Sequence, residues 1–213
     1  MARPMNRTSL LASLSLVLLL TACPDPAKNK AKAVVEAPKA TPAAVEKPVE
    51  GATRYTFSNE GSKFGFVGAK VTGKHDGGFN VFSGTLELPG ADFTRARVKA
   101  TVSTKSVFTD SEKLTGHLQS ADFFDAEKFP EATFVSTAIA ANGETFNVTG
   151  DLSLHGVTKS ITFPAKLAMD GEAVKVSADF AINRKDFGIV YAGKADDLIA
   201  DNVAIVLDLT AKK

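Results

Sequence analysis

The side chains able to do chemistry are few and far apart. Cys23 is the only cysteine, and His75, His117 and His155 are the only histidines. The three imidazoles lack the close spacing of zinc motifs, so no metal site is expected. No Gly-x-Ser-x-Gly turn occurs, and modification of Cys23 would leave no thiol nucleophile. Two motif look-alikes fail on context. Gly68 to Lys74 matches the start of a phosphate-binding loop, but His75 stands where a magnesium-binding hydroxyl belongs and no helix pattern follows. Asp186-Phe187-Gly188 spells a kinase tripeptide without the accompanying glycine-rich and catalytic loops. Cys23 has the clearest chemical setting. Arg3 and Arg7 precede the apolar run Leu10 to Leu20, and Leu20-Thr21-Ala22 leads into the thiol. That is a basic segment, an apolar segment and a small-residue cleavage site, and the run is too short to span a bilayer.

Removing 1–22 leaves 23 basic against 24 acidic residues, so the charge balance gives no case for nucleic acid. Residues 23–51 carry Pro24, Pro26, Pro38, Pro42 and Pro48 among Ala, Lys, Glu and Val. They read as a semi-extended linker holding the following domain some tens of ångströms from the anchor, at ~3.1 Å per residue. Residues 52–213 have the length of one domain.

Period-two alternation runs through that domain and predicts strands. Val98, Ala100 and Val102 alternate with polar residues, as do Ile161, Phe163, Ala165 and Leu167. Val174, Val176, Ala178, Phe180 and Ile182 repeat the pattern, and Val203, Ile205, Leu207 and Leu209 close the chain with it. Weaker strands cover 54–59, 63–71, 78–88, 132–140 and 144–154. Pro89-Gly90, Asn142-Gly143, His155-Gly156 and Asp170-Gly171 supply turns. The expected fold is all-β, an antiparallel eight-stranded barrel whose interior is just filled by side chains or holds one small ligand. One segment departs. Thr109-Asp110-Ser111-Glu112 has the spacing of a capping box with Thr109 as N-cap, and Leu114 and Leu118 follow on one face. A short helix over 111–119, after the fourth long strand, is placed to cap the barrel.

The chain has 15 phenylalanines, two tyrosines and no tryptophan. Phe buries a large apolar area without a polar atom that needs a partner. Two readings stand side by side: a solid core, or the wall of an apolar pocket. The pocket candidates are Phe64, Phe66, Phe79, Phe82, Phe108 and Phe123. Phe124, Phe134, Phe163 and Phe180 extend the set, with Val102, Leu114, Leu118, Leu152 and Ile182. Phe93 is a further candidate. His117 is either a head-group contact at a pocket mouth or a histidine satisfied by backbone. Arg184 and Asp186 share a side if extended, as a structural pair or a head-group contact. Lys70 and Lys74 either attract an anionic group or merely solubilise. His155 reads as turn chemistry and His75 as a solvated loop residue.

Several stretches, taken together, resemble a known family. Gly78-Phe79-Asn80-Val81-Phe82-Ser83-Gly84 is followed by His117-Leu118-Gln119-Ser120-Ala121-Asp122-Phe123-Phe124-Asp125, then Phe129-Pro130 and Thr133-Phe134-Val135-Ser136-Thr137. Gly150 to Lys159 and Arg184-Lys185-Asp186-Phe187-Gly188-Ile189 complete the set. In this order they resemble the YceI-like family of bacterial periplasmic proteins, over nearly all of 54–211. The resemblance implies a lipocalin-like barrel with a long apolar pocket that takes polyisoprenoids or related long-chain amphiphiles, without catalysis and without a cofactor. The four residues ending at Cys23 resemble a bacterial lipobox, which implies cleavage before Cys23 and acylation of it. Two or more acyl chains anchor a protein stably. The expectation is therefore a non-enzymatic lipoprotein of the bacterial cell envelope, tethered through Cys23, facing the periplasm and binding an isoprenoid or fatty-acid-like lipid. A homodimer is compatible with it. A packed barrel with a structural or interaction role is the alternative, and a hydrolase built around His117 stands behind both.

Overall fold

The alternation becomes one antiparallel sheet that curls back on itself. The computed structural model describes residues 25–38 and 49–213, so the expected leader 1–22 and Cys23 lie outside the described residues. The strands are β1 (Ala31–Lys32), β2 (Val34–Glu36), β3 (Ala52–Ser58), β4 (Lys63–Lys70), β5 (Gly73–Phe79), β6 (Phe82–Pro89), β7 (Arg97–Ser103) and β8 (Val107–Thr109). After helix α1 (Glu112–Gln119) come β9 (Glu131–Asn142), β10 (Thr145–Leu154), β11 (Val157–Asp170), β12 (Ala173–Asn183), β13 (Gly193–Lys194), β14 (Asp197–Leu198) and β15 (Asn202–Ala211).

Eleven strands form the continuous order β3-β6-β7-β9-β10-β11-β12-β15-β4-β5-β8 among the described residues. β15 pairs with β12 on one side and with β4 on the other. Just beyond β15, Lys212 exchanges both backbone hydrogen bonds with Thr56 of β3, at 2.6 and 2.8 Å. The wall therefore returns to its own start.

Eleven strands stand in place of the expected eight, and two of the breaks, at 80–81 and at 104–106, separate strands that were not read from the sequence. β3 and β4 are separated by a turn that needs Gly61 at φ +77°. β5 and β6 part at Asn80-Val81, opposite the 3-10 turn Thr104–Ser106 that parts β7 from β8. Thr104 causes that break. It is fully buried, its hydroxyl donates to the Phe129 carbonyl at 2.7 Å, and its N–H donates to the Pro130 carbonyl at 2.9 Å. The wall is thus bonded to the segment that follows α1, rather than to the next strand.

The helix forms as expected but its cap is Ser111, not Thr109. The Ser111 hydroxyl accepts the Leu114 N–H at 3.5 Å. Thr109 instead takes part in hydrogen bonds with the Thr115 hydroxyl and the Ser111 carbonyl. α1 follows β8, so it comes later in the strand count than expected. Its Leu114 and Leu118, four apart, face the barrel interior.

Part of the stretch read as a spacer is seated on the barrel. β11 and β12 pair only over Lys166–Asp170 against Ala173–Ser177. Towards α1 they splay, and residues 31–36 fill the gap. β1 lies parallel to β12 at Phe180 and Ala181, and β2 lies antiparallel to β11 at Ser160 to Thr162. Composition hid this, because Ala33 and Val35 are the only apolar side chains the gap requires of that segment.

Candidate functional site

The strands enclose an apolar lumen of about 280 Å³ that runs along the barrel axis. One end is shut. Leu88, Val174 and Ala211 are fully buried there, with Tyr55 beside them. The other end is the mouth, framed by Leu114 and Leu118 of α1, by Phe123 and Phe124, and by Ile189, Ile199 and Ala200. Between the ends the wall is almost wholly hydrocarbon. Phe163 stacks on Phe180 at 4.2 Å with planes 10° apart, and Phe134 leans on Phe163 at 5.7 Å. Across the lumen, Phe79 touches Phe64, Phe66 and Phe124 edge-on or tilted at 5.2, 5.8 and 5.7 Å. Such offset pairs are the favourable aromatic geometry.

Glycine makes room for these rings. A Cβ on Gly77 would lie 2.4 Å from Phe66 Cζ, one on Gly84 would lie 2.1 Å from Phe57 Cζ, and one on Gly150 would lie 2.4 Å from Phe134 Cζ. Each phenyl lies flat against bare backbone of a neighbouring strand, and all three line the lumen.

The expected pocket residues fall into two groups. Phe64, Phe66, Phe79, Phe82, Val102, Leu114, Leu118, Phe123, Phe124, Phe134, Leu152, Phe163, Phe180 and Ile182 all line the lumen. Phe108 does not. It lies over Gly78 on the outer face and is 42% exposed. Phe93 packs against Phe146 at 5.6 Å and is not part of the lining. The sequence reading missed Phe57, Leu86, Ala100, Ile139 and Val148, and the inward side of β15 from Val203 to Leu209. Their alternation was visible, but alternation says only that one face is buried.

Polar groups gather at the mouth. Lys70 lines it and forms an ion pair with Asp197, which also accepts from the Thr72 N–H at 3.2 Å and the Thr72 hydroxyl at 2.9 Å. The Lys70 ammonium, then Thr72, hold the Asp197 carboxyl below its ordinary pKa. His75, expected in a solvated loop, lines the lumen and hydrogen-bonds Asp110 at 2.8 Å. That bond holds the Asp110 carboxyl below its ordinary value. His117 stands one layer back, with Nε2 2.8 Å from Asp122 and its ring edge-on to Phe123 and Tyr191, both at 5.0 Å. Lys74 is exposed and outside the lining. His155 sits in a turn at φ +52°, as read.

Arg184 is buried and holds the mouth together. Its guanidinium donates to the carbonyls of Ala200 at 3.0 Å, Ile189 at 2.7 Å and Ile199 at 3.4 Å. Burial draws its pKa below the ordinary arginine value, and nearby Asp201 opposes this. The carboxylate partner is Asp201 at 3.7 Å, not Asp186. Residues Arg184–Phe187 coil into a 3-10 turn, so positions two apart do not share a side.

A second concavity of about 820 Å³ lies on the outer face, among Arg54, Thr56, Ser58, Lys99 and Lys212. Its cations and hydroxyls suit polar contacts rather than a hydrocarbon chain. Among the described residues no group of His, Cys, Asp and Glu could hold a metal, and no helix is long and apolar enough to cross a membrane.

Known proteins resemble this chain in sequence or in fold. The chain is 36% identical over 136 residues to a UPF0312 protein of Pseudomonas putida strain W619, covering 61% of this chain and 71% of that one. It is 38% identical over 119 residues to protein YceI of Escherichia coli O17:K52:H18, covering 53% of this chain and 62% of that one. Among solved structures, Burkholderia cenocepacia BcnA superposes with a TM-score of 0.66 at 27% identity, over 72% of this chain and 98% of that one. A polyisoprenoid binding domain from Saccharophagus degradans shares the fold with a TM-score of 0.61 at 20% identity, over 74% of this chain and 97% of that one. The model of the YceI-like domain matches residues 55–211, which include every strand wall of the lumen, and the chain belongs to that family.

Proposed function

We propose that this chain is an envelope lipoprotein, anchored through acylated Cys23, that binds the tail of a long-chain amphiphile in its barrel without catalysis. The ligand class is a polyisoprenoid, an isoprenoid quinone or a fatty-acid-like lipid, held for transport, storage or sequestration. The observation that carries this reading is the lumen: hydrocarbon along its length, shut at one end, with Lys70, His75 and Arg184 at the other. That polarity matches a molecule with one apolar tail and one polar head. The polyisoprenoid binding domain that shares the fold points to the same ligand class.

Size sharpens the reading. Each tail methylene buried in the lumen gains about 0.8 kcal/mol, and association itself costs at least about 4 kcal/mol. About five buried methylenes only offset that cost, so a tight ligand is one with a longer apolar tail.

Native mass spectrometry of protein purified from a lipid-containing host is expected to show one co-purifying lipid. Calorimetric titration of the stripped protein with a prenyl probe is expected to give saturable heat. A protein that carries no lipid and gives no heat would instead be the packed structural barrel.

A further inference from the structure

We propose that the mouth rim is a bilayer-docking surface, held down by a leash too short to let the barrel stand away from its own anchor. The inference rests on acylation of Cys23. Three exposed apolar side chains crown the rim: Val71 at 57%, Val190 at 64% and Leu198 at 50% exposure. They belong to one cluster of turns. Val71 N–H donates to the Leu198 carbonyl at 3.1 Å, and Ile199 N–H donates to the Ala192 carbonyl at 3.0 Å. Directly beneath them Ile189 and Ile199 line the lumen. The apolar crown is therefore continuous with the apolar interior.

The leash argument supplies the partner. Ala27 is 1% exposed and packs on the outer face of the barrel against Ala181 and Ala204, with Val67 alongside. Lys30 forms an ion pair with Asp179, and Ala33 N–H donates to the Ala181 carbonyl at 2.8 Å. The chain is thus fixed to the wall from Ala27 onward. Only three residues, 24–26, separate Ala27 from Cys23, so the four steps of chain between them reach at most about 14 Å. Ala181, Ala204 and Val67 lie two or three residues from the mouth ends of β12, β15 and β4, about 10 Å below the rim at the strand rise. The Pro-rich residues 39–48 fall between this seated segment and β3, so they add nothing to the leash. A membrane that holds Cys23 must then lie against the mouth half of the barrel. Charges at the rim are of both signs, with Lys70 paired to Asp197 and Lys185 to Asp201. Apolar insertion rather than net charge makes the contact. A tail drawn from that membrane would enter the lumen without crossing water.

The chain contains no tryptophan, so a single one reports position. Acylated full-length protein carrying Leu198→Trp, or separately Val71→Trp, would be placed in phosphatidylcholine vesicles with and without brominated acyl chains. Both tryptophans are expected to be blue-shifted and quenched at least twofold by the brominated lipid. Met169→Trp, on the exposed turn side of the shut end, is expected to be unaffected. Flotation with the vesicles is read first. A chain that does not float overturns the acylation on which the inference rests. A floating chain whose rim tryptophans are unquenched, or quenched no more than Met169→Trp, overturns docking alone.

Discussion

At the scale of single residues, two kinds of side chain set the shape of the lumen. Glycines under phenyl rings decide how far each ring retreats into the wall. A Cβ on Gly150 would meet the Phe134 ring at 2.4 Å and the Val135 carbonyl at 2.6 Å, and the carbonyl is backbone that cannot rotate away. Gly150→Ala is therefore expected to destabilise by about 1–3 kcal/mol, the usual cost of overpacking. A denaturant midpoint shift at unchanged slope would report it. Arg184 sets the other boundary. Its donors serve three carbonyls of the mouth, and no other side chain donates to them among the described residues. Arg184→Met keeps the aliphatic stem but leaves those carbonyls unserved, at about 3 kcal/mol for bonds to a charged group. Limited proteolysis is expected to cut first near Val190 and Tyr191 in this variant. Cleavage indistinguishable from the parent would remove the structural role assigned to Arg184.

Among the elements, the β13–β14 hairpin and the seated segment 31–36 were the least legible. β13 and β14 are two residues each, too short for any periodicity. Their position depends on Asp197 reaching back to Lys70 and Thr72, more than a hundred residues away in sequence. That contact has a pH signature. The Asp197 carboxyl titrates lower in the folded protein than in the unfolded chain. Between the two values the unfolded state binds more protons, so stability rises with pH there and is lost as pH falls through the folded value. Asp197→Asn is expected to flatten this part of the acid-side stability profile, measured by thermal melts across the carboxylate range. An unchanged slope would mean that the hairpin is held by other contacts. The long strands were readable because each has one apolar face. Their interruptions at Asn80 and Thr104 were not, since a wall break depends on which distant carbonyl captures a hydroxyl.

For the molecule as a whole, the sequence established a wall with a greasy inside but not whether that inside is full. The same alternating residues serve a packed core and a lined tube, and only their spacing across the barrel separates the two. Ala100 offers a direct discriminator. It faces the lumen from β7, paired with Phe134 of β9 on one side and with Gly84 of β6 on the other. In a filled core, Ala100→Phe would force strain worth about 1–3 kcal/mol. In a tube with about 280 Å³ of free volume the new ring has somewhere to go. It would then restore dispersion contacts that the void now forfeits. Stability is therefore expected to stay level or rise, while affinity for a prenyl probe falls at least tenfold because the ring occupies the tail's place. The two readouts move in opposite senses only if the space is real and the ligand uses it. A variant that melts earlier yet binds the probe as before would place the ligand elsewhere and leave the barrel interior as ordinary core.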